Sequence, residues 1–398
     1  MAQTKTFQSE LAAATAGVAN KRSLLLRLIR AEQPITRTEI AARLEIDKST
    51  VTENVKPLID AGVLREDTLD VKAQGRRPRV VSFADNGGYF IGVNLGVRRS
   101  QVGVTTLKGE IEEEEDFETP TAVSMALRQT RRQIDEIVRR NKDRKLRMIG
   151  VSVPGLTDTN RESLVFAPNL DWRNVPIAEE LAVEGVRVVV ENDSTAAAMY
   201  EARMKIRHSE EGLMTNFILV RSGTGIGVGL VLGSEVYRGS GQTRGIAGEF
   251  GHMTIVAGGK HCVCGNRGCW EKYASAAAAA SLYLGDRRLR PGESIPRFVE
   301  IVAKAENGDN RSRRTLEQIG DYLGIGIANV IMGIGIPRVI ISGRLVYGWQ
   351  FIEQPLREAI ARSIVGKTEG WTVEAGSPAG AAIGGALEVA VEEYLATV

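Results

Sequence analysis

The chain has 398 residues, of which 43% are apolar, 25% charged and 5% aromatic, a soluble composition long enough for two or three domains with cores of their own. No run approaches the ~18–20 apolar residues of a spanning helix, and the opening MAQTKTFQSE lacks the basic-then-apolar order of a secretory signal; membrane insertion and export are not expected, and a cytoplasmic protein is. The net charge of +2 is unevenly divided, since residues 1–82 carry 14 Lys and Arg against 10 Asp and Glu.

Residues 1–18 are small and polar without strong periodicity, which predicts a flexible tail. From Asn20 the pattern becomes helical, with Leu24, Leu25, Leu28 and Ile29 on one stripe before a loop at Pro34. A second helix is predicted over 38–44, with Thr36 placed to cap it and Ile40, Ala41 and Leu44 inward. Asp47 is placed to cap a third helix, in which Val51, Val55, Leu58 and Ile59 face inward and which Gly62 stops. Short strands over 63–66 and 79–83 flank the polar loop Gln74-Gly75-Arg76-Arg77-Pro78.

Three helices with a short turn before the third, then a basic two-stranded loop, predict a winged helix-turn-helix over 19–83. Lys48, Ser49, Thr50, Thr52, Glu53 and Lys56 lie on the third helix away from its apolar stripe. Hydroxyls there suit bases and phosphates, and lysines suit phosphates. Arg76 and Arg77 in an extended loop suit a narrow A·T-rich minor groove. Operator DNA is therefore the expected partner. A unit that docks a protein is the plainer alternative, against which the hydroxyl-rich helix and the basic wing count together.

After residue 87 the texture changes, and most of the 43 glycines fall there in short clusters. Strands are predicted over 89–95, 101–106, 148–153, 187–190, 217–220, 227–232 and 338–342, and helices over 122–141, 194–204, 312–332, 352–363 and 380–395. Strands paired early and then alternating with helices predict an α/β fold with a mixed sheet. Strand, glycine turn and strand recur near residues 96 and 223, which suggests two similar lobes.

The three cysteines, Cys262, Cys264 and Cys269, lie within eight residues and are too few for a disulfide framework. With His252 they supply three thiolates and one imidazole, a closed tetrahedral set for one structural Zn2+. His261, beside Cys262, is a rival for the nitrogen position.

Glu249-Phe250-Gly251-His252, followed by Cys-Val-Cys-Gly-Asn-Arg-Gly-Cys-Trp-Glu over 262–271, resembles the signature of the ROK family of repressors and sugar kinases. The likeness continues through Val153-Pro154-Gly155, Glu191-Asn192-Asp193, the run from Gly223 to Gly227, and Ser342-Gly343. It implies a two-lobed actin-like, ribonuclease-H-like domain with sugar between the lobes: 88–194 with 378–398 as lobe one, and 195–377 as lobe two with the zinc. It assigns the sugar to Gly155, Asn192, Asp193, Glu249, His252 and Glu271, with Asn169 nearby, residue types whose oxygens and nitrogens match sugar hydroxyls. With the winged unit in front, the chain resembles the repressor branch, of the xylose-repressor and glucose/N-acetylglucosamine-repressor type.

In the family's kinases the Asp matching Asp193 takes the proton from the sugar hydroxyl, and the first hairpin opens with Asp-x-Gly-Gly-Thr to receive phosphate. Here that hairpin reads Asn94-Leu95-Gly96-Val97-Arg98, and the adenosine-side Gly-Gly reads Gly343-Arg344. The expectation is a sugar-responsive repressor of carbohydrate-utilisation genes without kinase activity. It would bind operator DNA as a homodimer or homotetramer and take a monosaccharide or its phosphate in the cleft. The open alternatives are a sugar kinase with an added DNA-binding domain and a repressor controlled by a protein partner.

Overall fold

The computed structural model describes residues 18–68, 78–84, 88–208, 215–239, 245–285, 287, 294–379 and 381–397. The expected tail, apart from Val18, and the wing arginines Arg76 and Arg77 lie outside the described residues.

Helices Val18–Glu32, Arg37–Leu44 and Lys48–Asp60 pack with a small antiparallel sheet, in which Arg79–Phe83 lies between Leu64–Thr68 and Ile35–Thr36. Thr36 caps the second helix as expected. Its hydroxyl accepts from the Glu39 amide at 3.1 Å, and the Glu39 carboxylate accepts from the Thr36 amide at 2.8 Å. Asp47 differs from expectation: it holds the N-cap position in extended backbone, but its carboxylate receives no helix amide. The third helix is held instead by burial of Val51, Val55 and Leu58.

Two five-stranded sheets follow, with one topology. In the first, Gly88–Leu95, Arg99–Thr105 and Ile111–Glu118 are antiparallel neighbours. Lys145–Val153 and Arg187–Asn192 continue in parallel from the other side of Gly88–Leu95. In the second, Phe217–Ser222, Ile226–Leu232 and Glu235–Tyr237 repeat the antiparallel half, and Arg338–Gly343 and Thr372–Ala375 the parallel half. The two similar lobes read from the glycine turns are this repeated sheet.

Ile111–Glu118 is an edge strand that no apolar alternation announces, because it reads Ile-Glu-Glu-Glu-Glu-Asp-Phe-Glu. Its carboxylates meet arginines instead: Arg140 lies 2.9 Å from Glu113 and 2.8 Å from Glu115, and Arg99 pairs with Asp116. Charges on such an edge also discourage pairing with a foreign strand.

The winged unit is clamped to the lobes by its first helix. Leu25, Leu28 and Ile29 share a buried cluster with Phe90, Val389 and Leu395. At its margin Glu388, 2% exposed on helix Ala381–Leu395, is paired with Arg30 and, at 3.0 Å, with Arg203 of helix Asp193–His208. Arg203 also donates to the Gly109 carbonyl at 3.1 Å. Burial, partly opposed by Glu388, holds the Arg30 guanidinium below its ordinary value. One turn away, Arg27 pairs with Glu392 at 2.7 Å and with Glu235 at 3.3 Å, and donates to the Ser234 carbonyl. Glu392 rides on the helix covering the first sheet, and Glu235 begins the antiparallel edge strand of the second sheet. One guanidinium therefore touches both halves of the protein.

Candidate functional site

A cleft of about 410 Å³ is lined from both sheets by Asn94, Val97, Gly155, Asn169, Asp193 and Glu249, among others. All seven residues assigned to sugar by resemblance line it, including Asn192, His252 and Glu271. They arrive there because the strands end in glycine turns at the cleft, the usual place for ligands in open α/β sheets.

Gly155 ends the Val153-Pro154-Gly155 turn at φ +104°, and a Cβ there would stand 2.2 Å from the Phe166 carbonyl oxygen. Gly155→Ala is expected to cost roughly 2–4 kcal/mol through backbone strain and this collision. A lowered urea midpoint with unchanged far-ultraviolet circular dichroism in the folded baseline would show it. Gly225 marks a close approach of another kind: a Cβ would lie 2.3 Å from the Glu271 carboxylate and 3.3 Å from the Asn169 amide nitrogen.

Asn192 has a structural duty beside any binding one. Its Oδ1 accepts the amides of Ser194 and Thr195 at 2.8 and 3.1 Å, capping helix Asp193–His208. Its Nδ2 donates to the Gly155 carbonyl at 3.0 Å and lies 3.5 Å from Glu249. Asp193 accepts from the Ser194 hydroxyl at 3.1 Å and pairs with Arg221. Arg221 was not singled out in the sequence; the one charge in Phe-Ile-Leu-Val-Arg-Ser, just before the Gly223 turn, is the signal that could have found it. Burial, with the charges of Asp193 and Glu271, pushes the Glu249 carboxyl up to about 7.

His252, Cys262, Cys264 and Cys269 bring one ligand atom each within 4.8 Å of one another. Cys264 Sγ lies 3.7 Å from Cys269 Sγ, and Cys262 Sγ lies 3.6 Å from His252 Nδ1. A zinc–sulfur bond of about 2.3 Å gives a tetrahedral edge of about 3.8 Å, so the donor set and its spacing fit that metal. His261 is exposed and lies outside this cluster, whose one histidine is His252. Nε2 of His252 is turned the other way, 3.7 Å from Glu249. Trp270, fully buried between Cys269 and Glu271, anchors this loop by donating to the Tyr322 carbonyl at 2.9 Å.

Asn94, which also lines the cleft, is 5% exposed and held on both sides: it donates to Gln101 and accepts from Ser152, each at 3.1 Å. Val97, Arg98 and Arg344 line the same cavity.

On the third helix Lys48, Ser49, Thr52, Glu53 and Lys56 are exposed and Thr50 is half-buried. The Thr52 hydroxyl donates to the Lys48 carbonyl at 2.9 Å and accepts from Arg37 at 3.4 Å. The surface is polar and unpacked among the described residues.

The ROK family profile matches residues 90–393 of this chain. The chain belongs to the ROK family. A helix-turn-helix domain profile matches residues 21–67 of the same ROK protein. It is similar to the xylose repressor of Bacillus subtilis (strain 168), 29% identical over 350 residues that cover 86% of this chain and 87% of that one. It is also similar to the glucokinase of Streptomyces coelicolor, 30% identical over 299 residues, covering 70% of this chain and 89% of the kinase. Among solved structures it matches a ROK family transcriptional regulator, a homologue of the E. coli MLC protein, with a TM-score of 0.74 and 24% identity. That match covers 95% of this chain and 97% of the other, and shows a shared fold that includes the N-terminal unit. No helix among the described residues of this ROK protein is long and apolar enough to cross a membrane.

Proposed function

We propose that this ROK protein is a cytoplasmic, sugar-responsive transcriptional repressor that binds operator DNA as a homo-oligomer. The observation that carries the reading is the Arg27 contact, which joins a DNA-type helical unit to both halves of a cleft. In this reading residues 19–83 bind DNA, 88–194 with 378–398 form one lobe, and 195–377 form the other. Sugar favours closure, closure moves Glu235 relative to Glu392, and the first helix is re-aimed with its recognition helix.

Gly155, Asn169, Asn192, Asp193, Glu249, His252 and Glu271 hold the sugar. Lys48, Ser49, Thr50, Thr52, Glu53, Lys56, Arg76 and Arg77 meet DNA. One structural zinc is held by His252 through Nδ1 with the three cysteines, which leaves Nε2 for the cleft. The protein transfers no phosphate: Asn94 has no charge for a metal ion and its amide is already bonded on both sides.

The test uses a DNA sequence selected by the protein from a random library. Its affinity is expected to change by roughly 5–150-fold with the cognate sugar, the size of ordinary allosteric coupling. Replacing Arg76 and Arg77 together by Ala should weaken binding and reduce the salt slope by about one unit per lost phosphate contact. Sugar-dependent ADP release from ATP would instead show a kinase with an added DNA-binding unit, and an affinity that answers only to a protein partner would replace the sugar.

A further inference from the structure

Strand Glu235–Tyr237, at the edge of the second sheet, meets the winged unit through its first residues and the neighbour of a cleft residue just past its last. At its start the Ser234 carbonyl and the Glu235 carboxylate face Arg27, and Val236 packs against the apolar cluster that holds Leu25, Leu28 and Ile29. Arg238 follows the strand directly. Its Nε donates to Glu191 Oε2 at 2.6 Å, and Glu191 Oε1 accepts the Asn192 amide at 3.1 Å. The Arg238 carbonyl accepts from the Gly245 amide at 2.8 Å, four residues before Glu249. Arg238 is thus one step removed from two side chains that line the cleft, Asn192 and Glu249, which lie 3.5 Å apart. Glu191 itself is 2% exposed, so it needs a cation wherever it is ionised. A second one is at hand: Arg161, from the loop before strand Leu164–Ala167, has Nη2 3.3 Å from Glu191 Oε2. Its Nε and Nη2 make no hydrogen bond among the described residues.

We propose that Arg238 is a positioning residue for the sugar response: it ties Glu191 to the edge strand, so that occupancy of the cleft at Asn192 and Glu249 shifts Ser234, Glu235 and Val236 against the first helix of the winged unit. The inference rests on the sugar-responsive repressor reading above and names the route of its coupling. Coupling between distant sites needs an element with two arrangements that both sites bias. Glu191 supplies one, because it faces a guanidinium from each side of the cleft. Arg161 is held in place by Glu393 of helix Ala381–Leu395, which covers the first sheet, whereas Arg238 travels with the second. When the sheets separate, Arg238 withdraws and Glu191 keeps Arg161, so no buried carboxylate is left alone and the contact opens without the cost of an unpaired charge. When they approach, Glu191 takes the Arg238 bond again and draws the strand with it.

The experiment measures the affinity of the full chain for its selected DNA by fluorescence anisotropy, with and without each of glucose, xylose and N-acetylglucosamine, and sugar binding by titration calorimetry. In Arg238→Met the sugar-induced change in DNA affinity is expected to fall roughly fivefold or more, while DNA affinity without sugar stays within about twofold of wild type. Arg238→Lys, which keeps a cation for Glu191, should restore part of the lost response. Glu235→Gln, at the other end of the strand and with its carboxylate half in solvent, should also weaken the response. The double variant should lose no more than the stronger single one, as for two steps of one route. An unchanged response in Arg238→Met, or single losses that add in full in the double variant, overturns the route and leaves the repressor reading standing. A loss in Arg238→Met that comes with unfolding, and that Arg238→Lys does not relieve nor Glu235→Gln reproduce, makes Arg238 a structural residue and also overturns it. A wild-type DNA affinity that none of the sugars changes overturns the sugar-responsive reading together with this proposal.

Discussion

Glu388→Gln is expected to destabilise the protein by about 3–5 kcal/mol, because it leaves two buried guanidiniums without their shared charge. Arg30 and Arg203 both end on this carboxylate, with side chains 1% and 9% exposed. Arg30→Met should cost less, since Glu388 keeps Arg203 and the first helix loses only its own bond. The same comparison reads coupling. In Arg30→Met the winged unit retains its fold but is less firmly tied to the lobes, so sugar should change DNA affinity less than in wild type. Urea titration followed by tryptophan fluorescence and far-ultraviolet circular dichroism measures the first effect, and DNA binding with and without sugar measures the second. A stability loss below about 1 kcal/mol in Glu388→Gln would show that the cluster is not the joint described here.

Cys264→Ser is expected to lower bound zinc from about one per chain to near zero by elemental analysis. The apparent melting temperature should fall by on the order of 10 °C, as for loss of a structural metal from a domain of this size. Trp270 sits in the stapled loop against the Tyr322 carbonyl, so its fluorescence should report the loosening locally. Glu271 follows Trp270 directly and lies 3.2 Å from Cys262, so the sugar response should be lost with the metal. DNA binding without sugar should persist, because the third helix and wing lie in the other unit. A metal-free wild type with a normal sugar response would remove zinc from the account.

The cleft was largely legible because its residues sit in short runs with fixed spacing. Glu249 to His252 and Cys262 to Glu271 are each one loop, and a loop brings its own side chains together whatever surrounds it. Asn192 and Asp193 were legible as a pair, but the capping of Ser194 and Thr195 by Asn192 was not, since a cap and a ligand use the same residue type. The choice of His252 over His261 also needed the fold. Both are near the cysteines in the chain, but in the folded protein His261 is exposed while His252 lies among the three thiols.

Local periodicity is enough to announce the three helices of the winged unit and the strand–helix alternation after residue 87, because an apolar stripe must face something and its spacing says how the backbone repeats. It fails at Ile111–Glu118, where an edge strand is stabilised by arginines from elsewhere rather than by an apolar face. It fails more completely for Arg30 and Glu388, which are 358 residues apart and look, one at a time, like ordinary charges on helix surfaces. Their meaning comes from burial on two helices brought together by folding, where a lone charge is costly and a matched set is specific. Residue types and spacing thus decide what chemistry the cleft and the recognition helix carry. Which charges are buried against each other, and hence how the two ends of the molecule are joined, is decided by long-range packing that no stretch of chain contains.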